Sequence, residues 1–376
     1  MADVAIARCK DYSSVAQALS EALSGRLDWV APGMKVALKV NLVCGARPEA
    51  AATTHPAVVS ALSGMLVARG AEVIVGDSPG GLYTAAFVNR IYRASGMKSV
   101  EAAGARLNQD FSQREVELPA AAALRRFQYT AWLDRADAVV DVCKLKTHGM
   151  MGMSCAVKNL FGAIPGTLKP EYHFRHADPM EFAQAIVDLA DFVNPRLSIC
   201  DAVVGMEGNG PTAGTPRFIG AMLAAENPHA LDLCAAHLIG LGPGDVPTLA
   251  VARERGYIPG RAEELDVAGE LFQVPDFKNI PARHSVEFAH PFGGPLGTLA
   301  GKAMKRALRS APALDRRSCV GCAKCAEICP PAAISMRGKI PAIDRSRCIR
   351  CFCCQEFCPK GAMRVRRPLA ARLLNR

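Results

Sequence analysis

The sequence lacks most of the features that announce a function. No apolar run reaches the roughly 18 residues of a membrane-crossing helix, so no transmembrane segment is expected. From Met1 onward no basic stretch precedes an apolar core, so no secretory leader is expected either. No Gly-x4-Gly-Lys-Ser/Thr string is present, which removes a P-loop, and no Gly-x-Gly-x-x-Gly follows the first predicted strand, which removes the usual dinucleotide fingerprint. Aromatic residues make up only 6% of the chain, and neither a helix-turn-helix nor an RNA-binding signature appears, so nucleic acid is not an expected partner. Cys9, Cys44, Cys143, Cys155, Cys200 and Cys234 are scattered without the spacing of a disulfide framework. These absences predict a soluble protein of a reducing compartment, the cytoplasm.

What the sequence does have is concentrated near its end. Cys319, Cys322, Cys325 and Cys329 read Cys-x2-Cys-x2-Cys-x3-Cys, followed by Pro330. Cys348, Cys351, Cys354 and Cys358 repeat the pattern, followed by Pro359. A shift of 29 residues superposes the runs and also carries Ala333 onto Ala362 and Ile334 onto Met363. Structural zinc sites use Cys-x2-Cys pairs, but nothing in them calls for a third cysteine and a Cys-Pro, twice. The spacing is that of two 4Fe–4S clusters, in which the fourth cysteine of each run serves the other cluster. One cluster is therefore assigned to Cys319, Cys322, Cys325 and Cys358, and the other to Cys348, Cys351, Cys354 and Cys329. Cys353 is left as a spare thiol. This stretch resembles the two-cluster bacterial ferredoxin domain over residues 312–368, and the resemblance implies low-potential, one-electron transfer.

Charge follows the same division. Residues 301–376 hold 18 Lys and Arg against 4 Asp and Glu, whereas the remainder holds 27 against 31. Two loaded clusters would each offset about two of those positive charges, by formal counting on four thiolates. A basic surface of this kind is expected to steer an acidic redox partner protein or a small anionic substrate.

Residues 1–290 alternate short apolar runs with helical patterns. Strands are expected at Val4–Ala7, Val36–Leu42, Val73–Gly76, Ala138–Val142 and Leu197–Cys200. Helices are expected after Ser13 or Ser14, Thr54, Thr84, Asp178 and Asn227. The last two have strong start signals, Asp178-Pro179 and Asn227-Pro228. Strands separated by helices predict an α/β fold with a largely parallel sheet and flanking helices, joined to a small α+β ferredoxin-like iron–sulfur domain. The organisation expected is an α/β domain at 1–290, a linker at 291–311, the two-cluster domain at 312–368 and a basic tail at 369–376.

Such sheets bind ligands in loops beyond the strand carboxyl ends. Polar strings fall there: Lys39-Val40-Asn41-Leu42, Thr53-Thr54-His55-Pro56, Gly76-Asp77-Ser78-Pro79-Gly80-Gly81, Lys144-Leu145-Lys146-Thr147-His148 and Val157-Lys158-Asn159-Leu160-Phe161-Gly162. With Asp201-Ala202 and Met206-Glu207-Gly208-Asn209-Gly210-Pro211, they resemble the domain-of-unknown-function family 362 over residues 35–270. That resemblance implies the architecture and the attached ferredoxin domain, but no reaction. It carries Thr-Gly where this chain has Ser154-Cys155.

The candidate catalytic residues are Lys39, Asn41, Asp77, Lys144, Lys146, His148, Lys158 and Asn159. Convergence of the four lysines would make an anion site, which the N–H groups of Gly80 and Gly81 would also approach. Asp77, Asp201 and Glu207 are candidate bases or ligands, with capping as their ordinary role. His173 and His176, joined by His148, are a candidate site for an additional metal ion. Two functional readings follow. The first is an iron–sulfur oxidoreductase or electron-transfer protein that relays electrons through two 4Fe–4S clusters to an anionic substrate or partner at the α/β domain. The second is a metal-handling or cofactor-maturation factor.

Overall fold

The computed structural model describes residues 2–280, 310–366 and 368. Residues 281–290, nearly all of the expected linker and the basic tail at 369–376 lie outside the described residues.

The large domain is one nine-stranded sheet with helices on both faces. Its elements in chain order are β1 (Val4–Arg8), α1 (Val15–Ala22), β2 (Lys35–Val40), α2 (Pro56–Val67), β3 (Glu72–Gly76), α3 (Ala85–Ala94) and β4 (Arg106–Leu107). A hairpin of β5 (Gln113–Glu117) and β6 (Arg126–Thr130) follows, separate from the main sheet. Then come β7 (Ala138–His148), β8 (Gly152–Ser154), α4 (Ala156–Asn159), α5 (Lys169–Arg175), α6 (Pro179–Val193), β9 (Leu197–Glu207), β10 (Thr215–Ala225), α7 (Pro228–Leu238), α8 (Pro247–Glu254) and β11 (Val267–Gly269). The strand order is β11-β1-β10-β9-β7-β2-β3-β4, with β8 antiparallel against the end of β7. Strands β9, β7, β2, β3 and β4 are mutually parallel, and β10 runs against β9 and β1.

Helix starts follow the sequence signals. The Asp178 carboxylate accepts from Met180 N at 2.8 Å, and Asn227 Oδ1 accepts from His229 N at 2.9 Å. His55 caps α2 through Nδ1, which accepts from Ala57 N at 3.2 Å. The sheet faces divide by the two-residue period of a strand. On β7, Val140 and Val142 join the core under α1, α2 and α6, whereas Cys143 and Leu145 join the core under α7 and α8.

β7 and β9 each run well past the expected strand ends, to His148 and Glu207. Lys144, Lys146 and His148 therefore lie in a strand and share one face. They are not turn residues. Connections from β2 lead one way along the sheet and those from β7 lead the other, so the strand order reverses between these neighbours. The crevice outside their carboxyl ends is the expected ligand position of such a sheet.

The small domain repeats its backbone as it repeats its cysteines. Strands β12 (Ala311–Leu314) and β13 (Ile334–Arg337) correspond, 29 residues on, to β14 (Ile340–Ile343) and β15 (Met363–Arg366). They pair crosswise, β12 with β15 and β13 with β14, as two halves about a pseudo-twofold would. The one-turn helices Lys324–Glu327 and Cys353–Glu356 follow Ala323 and Phe352, both left-handed at φ 61° and 63°.

The second helix docks the small domain on the large one. Gln355 Nε2 donates to Asn209 O at 2.9 Å and to Gly210 O at 2.6 Å, and Thr212 Oγ1 donates to Glu356 O at 3.0 Å. Phe352 and Cys353 are buried in the same apolar core as Met150 and Met151. A Cβ on Gly80 would come within 2.9 Å of the Phe357 ring, so close approach requires glycine there.

Candidate functional site

A cavity of about 40 Å³ lies where β2, β3 and β7 end and the small domain covers them. Asn41, Asp77, Ser78, Lys146, His148 and Ser154 line it, with Lys158, Asn159 and Gly162 from α4 and the turn after it. Lys169 at the start of α5 and Glu356 of the small domain complete the wall.

The predicted lysines divide into two kinds. Lys39 is neutralised by Asp77, with Nζ 2.7 Å from Oδ1, and also donates to Val40 O at 2.8 Å. Asp77 Oδ1 also accepts from Ser78 N at 2.9 Å and Oδ2 accepts from Leu42 N at 2.7 Å. It serves as the brace between the β2 and β3 loops. Lys144 points away from the cavity into a second buried pair. Its Nζ lies 2.8 Å from both Asp201 Oδ2 and Tyr12 Oη. Asp201 also accepts from His55 N at 2.9 Å, and Glu207 accepts from Lys278 N at 3.0 Å, so both carboxylates hold structure.

Lys146 and Lys158 do face the cavity. Lys146 Nζ donates to Asn41 Oδ1 at 2.8 Å and Ala52 O at 2.6 Å, but among the described residues no carboxylate pairs with it, and burial lowers it to about 8. Lys158 lies over the Phe161 and Phe182 rings, and burial lowers it as well. Lys169 donates to Ser78 O, and burial lowers it to about 8. Neither Lys169 nor Glu356 carries a sequence signal that would place it here; chain crossings bring them in.

Asn159 is the hub. Its Oδ1 accepts from Asn41 Nδ2 at 2.8 Å and Lys39 Nζ at 3.3 Å, while Nδ2 donates to Asp141 Oδ1 at 2.7 Å. Complete burial pushes the Asp141 carboxyl well above the usual carboxylate range, opposed by the nearby Lys39 charge and the Asn159 hydrogen bond. Gly162 is required because a Cβ there would collide with Asp77 Oδ1 and Lys39 Nζ. The N–H of Gly80 is spent on Val43 O at 3.1 Å, so it does not serve the expected anion contact.

The structure does not gather the ligand atoms of the three histidines into one group. His148 Nδ1 accepts from Met150 N at 3.1 Å and Met151 N at 3.2 Å, which leaves Nδ1 bare and puts the ring proton on Nε2. Ligation through Nε2 would then require an imidazolate. Burial holds His148 well below its ordinary value, reinforced by Lys158, so the ring is a neutral Nε2–H donor. Among the described residues that buried Nε2 has no hydrogen-bond partner, and it sits 3.9 Å from Glu356 Oε2. His173 packs against Phe182 with ring centroids 4.2 Å apart, and His176 ends α5. Among the described residues, the three-residue group close enough for one ion is Cys143, Cys155 and Cys200.

In the small domain, Cys319, Cys322, Cys325 and Cys358 line one cavity of about 20 Å³. The other run's geometry is matching: Cys329 and Cys354 both lie near Cys348 and Cys351. Ala333 N donates to Cys329 Sγ and Ala362 N to Cys358 Sγ, each at 3.2 Å, so the two crossing cysteines are held alike. These two sulfur sets fit 4Fe–4S ligation. Cys353 is fully buried beside Cys351 and close to Lys158, between the second set and the cavity.

Comparison with known proteins agrees with this layout. The profile of the domain of unknown function DUF362 matches residues 36–237, and that of the 4Fe-4S dicluster domain matches residues 318–362. The chain is 33% identical over 251 residues to the thylakoid-associated protein sll1697 of Synechocystis sp. (strain ATCC 27184 / PCC 6803 / Kazusa), covering 65% of this chain and 75% of the relative. Among solved structures, the lactate racemase apoprotein of Thermoanaerobacterium thermosaccharolyticum is similar over 61% of this chain and 55% of that one, at a TM-score of 0.39 and 11% identity. No helix among the described residues is long and apolar enough to cross a membrane. With more than half of its length matched by that profile, the chain belongs to the DUF362 family and carries a ferredoxin-type 4Fe–4S domain.

Proposed function

We propose that the chain is an iron–sulfur oxidoreductase or electron-transfer protein of a reducing, cytoplasmic compartment, whose small domain serves an anion site in the large one. The observation that carries this reading is the shared wall. Helix Cys353–Glu356 contains one proposed cluster ligand, Cys354, and ends in Glu356, which lines the cavity beside Lys146, Lys158 and His148. Cys319, Cys322, Cys325 and Cys358 would hold one 4Fe–4S cluster, and Cys348, Cys351, Cys354 and Cys329 the other. When bound, such clusters supply one-electron transfer.

The charge of the cavity describes its ligand. Lys146, Lys158 and Lys169 face it, and among the described residues Glu356 is the one other carboxylate in its wall besides Asp77, which is taken by Lys39. The excess of two positive charges suits a ligand of charge near −2. Nε2–H of His148 and the hydroxyl of Ser78, both buried without a hydrogen-bond partner, add neutral donors. The volume is far below the roughly 300–1,000 Å³ of a drug-sized site, so the buried part is an oxyanion or carboxylate head. On the outer face, exposed Arg316, Arg317, Lys324, Arg337, Lys339 and Lys360 offer a basic surface to an acidic redox partner.

The test is a redox titration of the anaerobic, cluster-loaded protein, followed by electron paramagnetic resonance, with and without saturating sulfate. Sulfate should lower the potential of one cluster and leave the other in place. Tenfold weaker binding to the reduced form corresponds to about 59 mV for one electron. If sulfate binds by equilibrium dialysis yet moves neither potential, the coupling is wrong. If sulfate does not bind, the anion site is wrong.

A further inference from the structure

Three cysteines outside the ferredoxin repeat meet in the core of the large domain. Cys143 on β7 and Cys200 on β9 are register partners on adjacent parallel strands. Cys155 follows β8 directly, on the chain that turns back over β7. Its Sγ lies 3.4 Å from Cys143 Sγ and 3.4 Å from Cys200 Sγ, and all three sulfurs lie within 4.8 Å of one another. All three are at most 1% exposed, in the core under α7 and α8. This is the sheet face away from Val140 and Val142, so the group is separate from the anion cavity.

Buried cysteines often pack simply as small apolar side chains. Two features here exceed packing. The thiols are directed at one another, with Cys155 donating to Cys200. A buried carboxylate, Asp232, stands beside Cys155, accepting from Ala156 N at 2.6 Å and Val157 N at 3.2 Å. A carboxylate and three thiols in an otherwise apolar core are the chemistry of a soft-metal site with an acceptor for the displaced proton.

We propose that Cys143, Cys155 and Cys200 hold one thiophilic d10 ion, with Cu(I) favoured over Zn(II). An ion about 2.3 Å from each of three sulfurs spaces them about 4.0 Å apart, which small side-chain shifts reach from the observed arrangement. Two of the three positions are set by strand pairing, so little order is lost on binding. Among the described residues no fourth His, Cys or carboxylate ligand atom joins this group, so a tetrahedral fourth ligand is missing from it. Three sulfurs without a fourth ligand suit Cu(I) better than Zn(II). Binding releases three thiol protons, one to Asp232 and two to bulk water, and moves no electrons. The inference does not depend on the anion cavity or on the clusters being redox-active.

The test is an elemental inventory with metal-edge X-ray absorption on anaerobic, cluster-loaded full-length protein, dialysed against excess Cu(I) or Zn(II) and then against buffer. The expected result is about one copper or zinc per chain beyond the roughly eight iron of two clusters, with three sulfurs at about 2.3 Å. Occupancy should fall at least tenfold in Cys155→Ser and in Cys143→Ser, with iron and acid-labile sulfide unchanged. Copper retained over zinc supports the three-sulfur preference, and zinc alone with a fourth light-atom ligand overturns it. Absence of both ions from wild type with complete iron and sulfide overturns the site, as does full retention in both variants. If the variants lose iron through misfolding, the sulfur count in the wild-type spectrum still decides.

Discussion

Sulfate binding to the anaerobic, cluster-loaded chain should weaken steeply between pH 7 and pH 9. Sulfate keeps its charge throughout, so the titration belongs to the protein. Burial lowers Lys146 and Lys169 from 10.5 to about 8 in the free cavity. A bound dianion supplies the missing partner and raises both again, so affinity follows the fraction of free protein in which both are charged. With each titrating near 8, that fraction per lysine falls from about nine-tenths at pH 7 to about one-tenth at pH 9, a combined loss of about 100-fold. Burial lowers Lys158 in the same direction, and His148, held well below its ordinary value, is neutral throughout. In Lys169→Met one titration disappears, and the loss across this range should shrink to about tenfold. The same burial acts on stability with the opposite sense. The unfolded chain keeps these lysines charged to about 10.5, so the empty folded protein is destabilised below pH 8 and recovers as pH rises from 8 to 10.5. The recovery is about 3 kcal/mol per lysine at 1.36 kcal/mol per decade. Equilibrium dialysis with labelled sulfate measures the first effect. An affinity that is flat between pH 7 and 9, or an undiminished slope in Lys169→Met, would refute the assignment of these lysines to the ligand.

Three further outcomes follow from the geometry. Lys144→Met leaves Asp201 buried without its cation and should cost about 3–5 kcal/mol in denaturant unfolding, while sulfate affinity of the folded fraction stays within about twofold. Gly162→Ala forces a methyl into the Lys39–Asp77 pair and should destabilise by more than about 2 kcal/mol and weaken sulfate binding; an unchanged melting curve would show that the loop has slack. Cys354→Ser should reduce iron and acid-labile sulfide by about half, whereas Cys353→Ser should retain both; the opposite pattern would reassign the ligand between these neighbours.

The sequence by itself determined the two modules and the iron–sulfur character of the second. Cysteine spacing is local: a Cys-x2-Cys-x2-Cys loop brings sulfurs together whatever surrounds it, and the 29-residue repeat already implied two matching halves. Cap residues are equally local, so Asp178 and Asn227 marked their helices correctly. The parallel sheet followed from the alternation of strand and helix patterns. Only the tertiary structure decided how the polar strings are used. Lys144 and Lys146 are two residues apart on one strand, yet one meets Asp201 and the other the cavity, because different neighbouring strands end beside them. Polarity hid the outer half of β7, since buried lysines in a strand read as loop. Lys169, Glu356 and the Cys143–Cys155–Cys200 group are assembled from distant segments by strand order and domain docking. No spacing rule records such contacts, because their distances are set by packing across the sheet rather than along the chain.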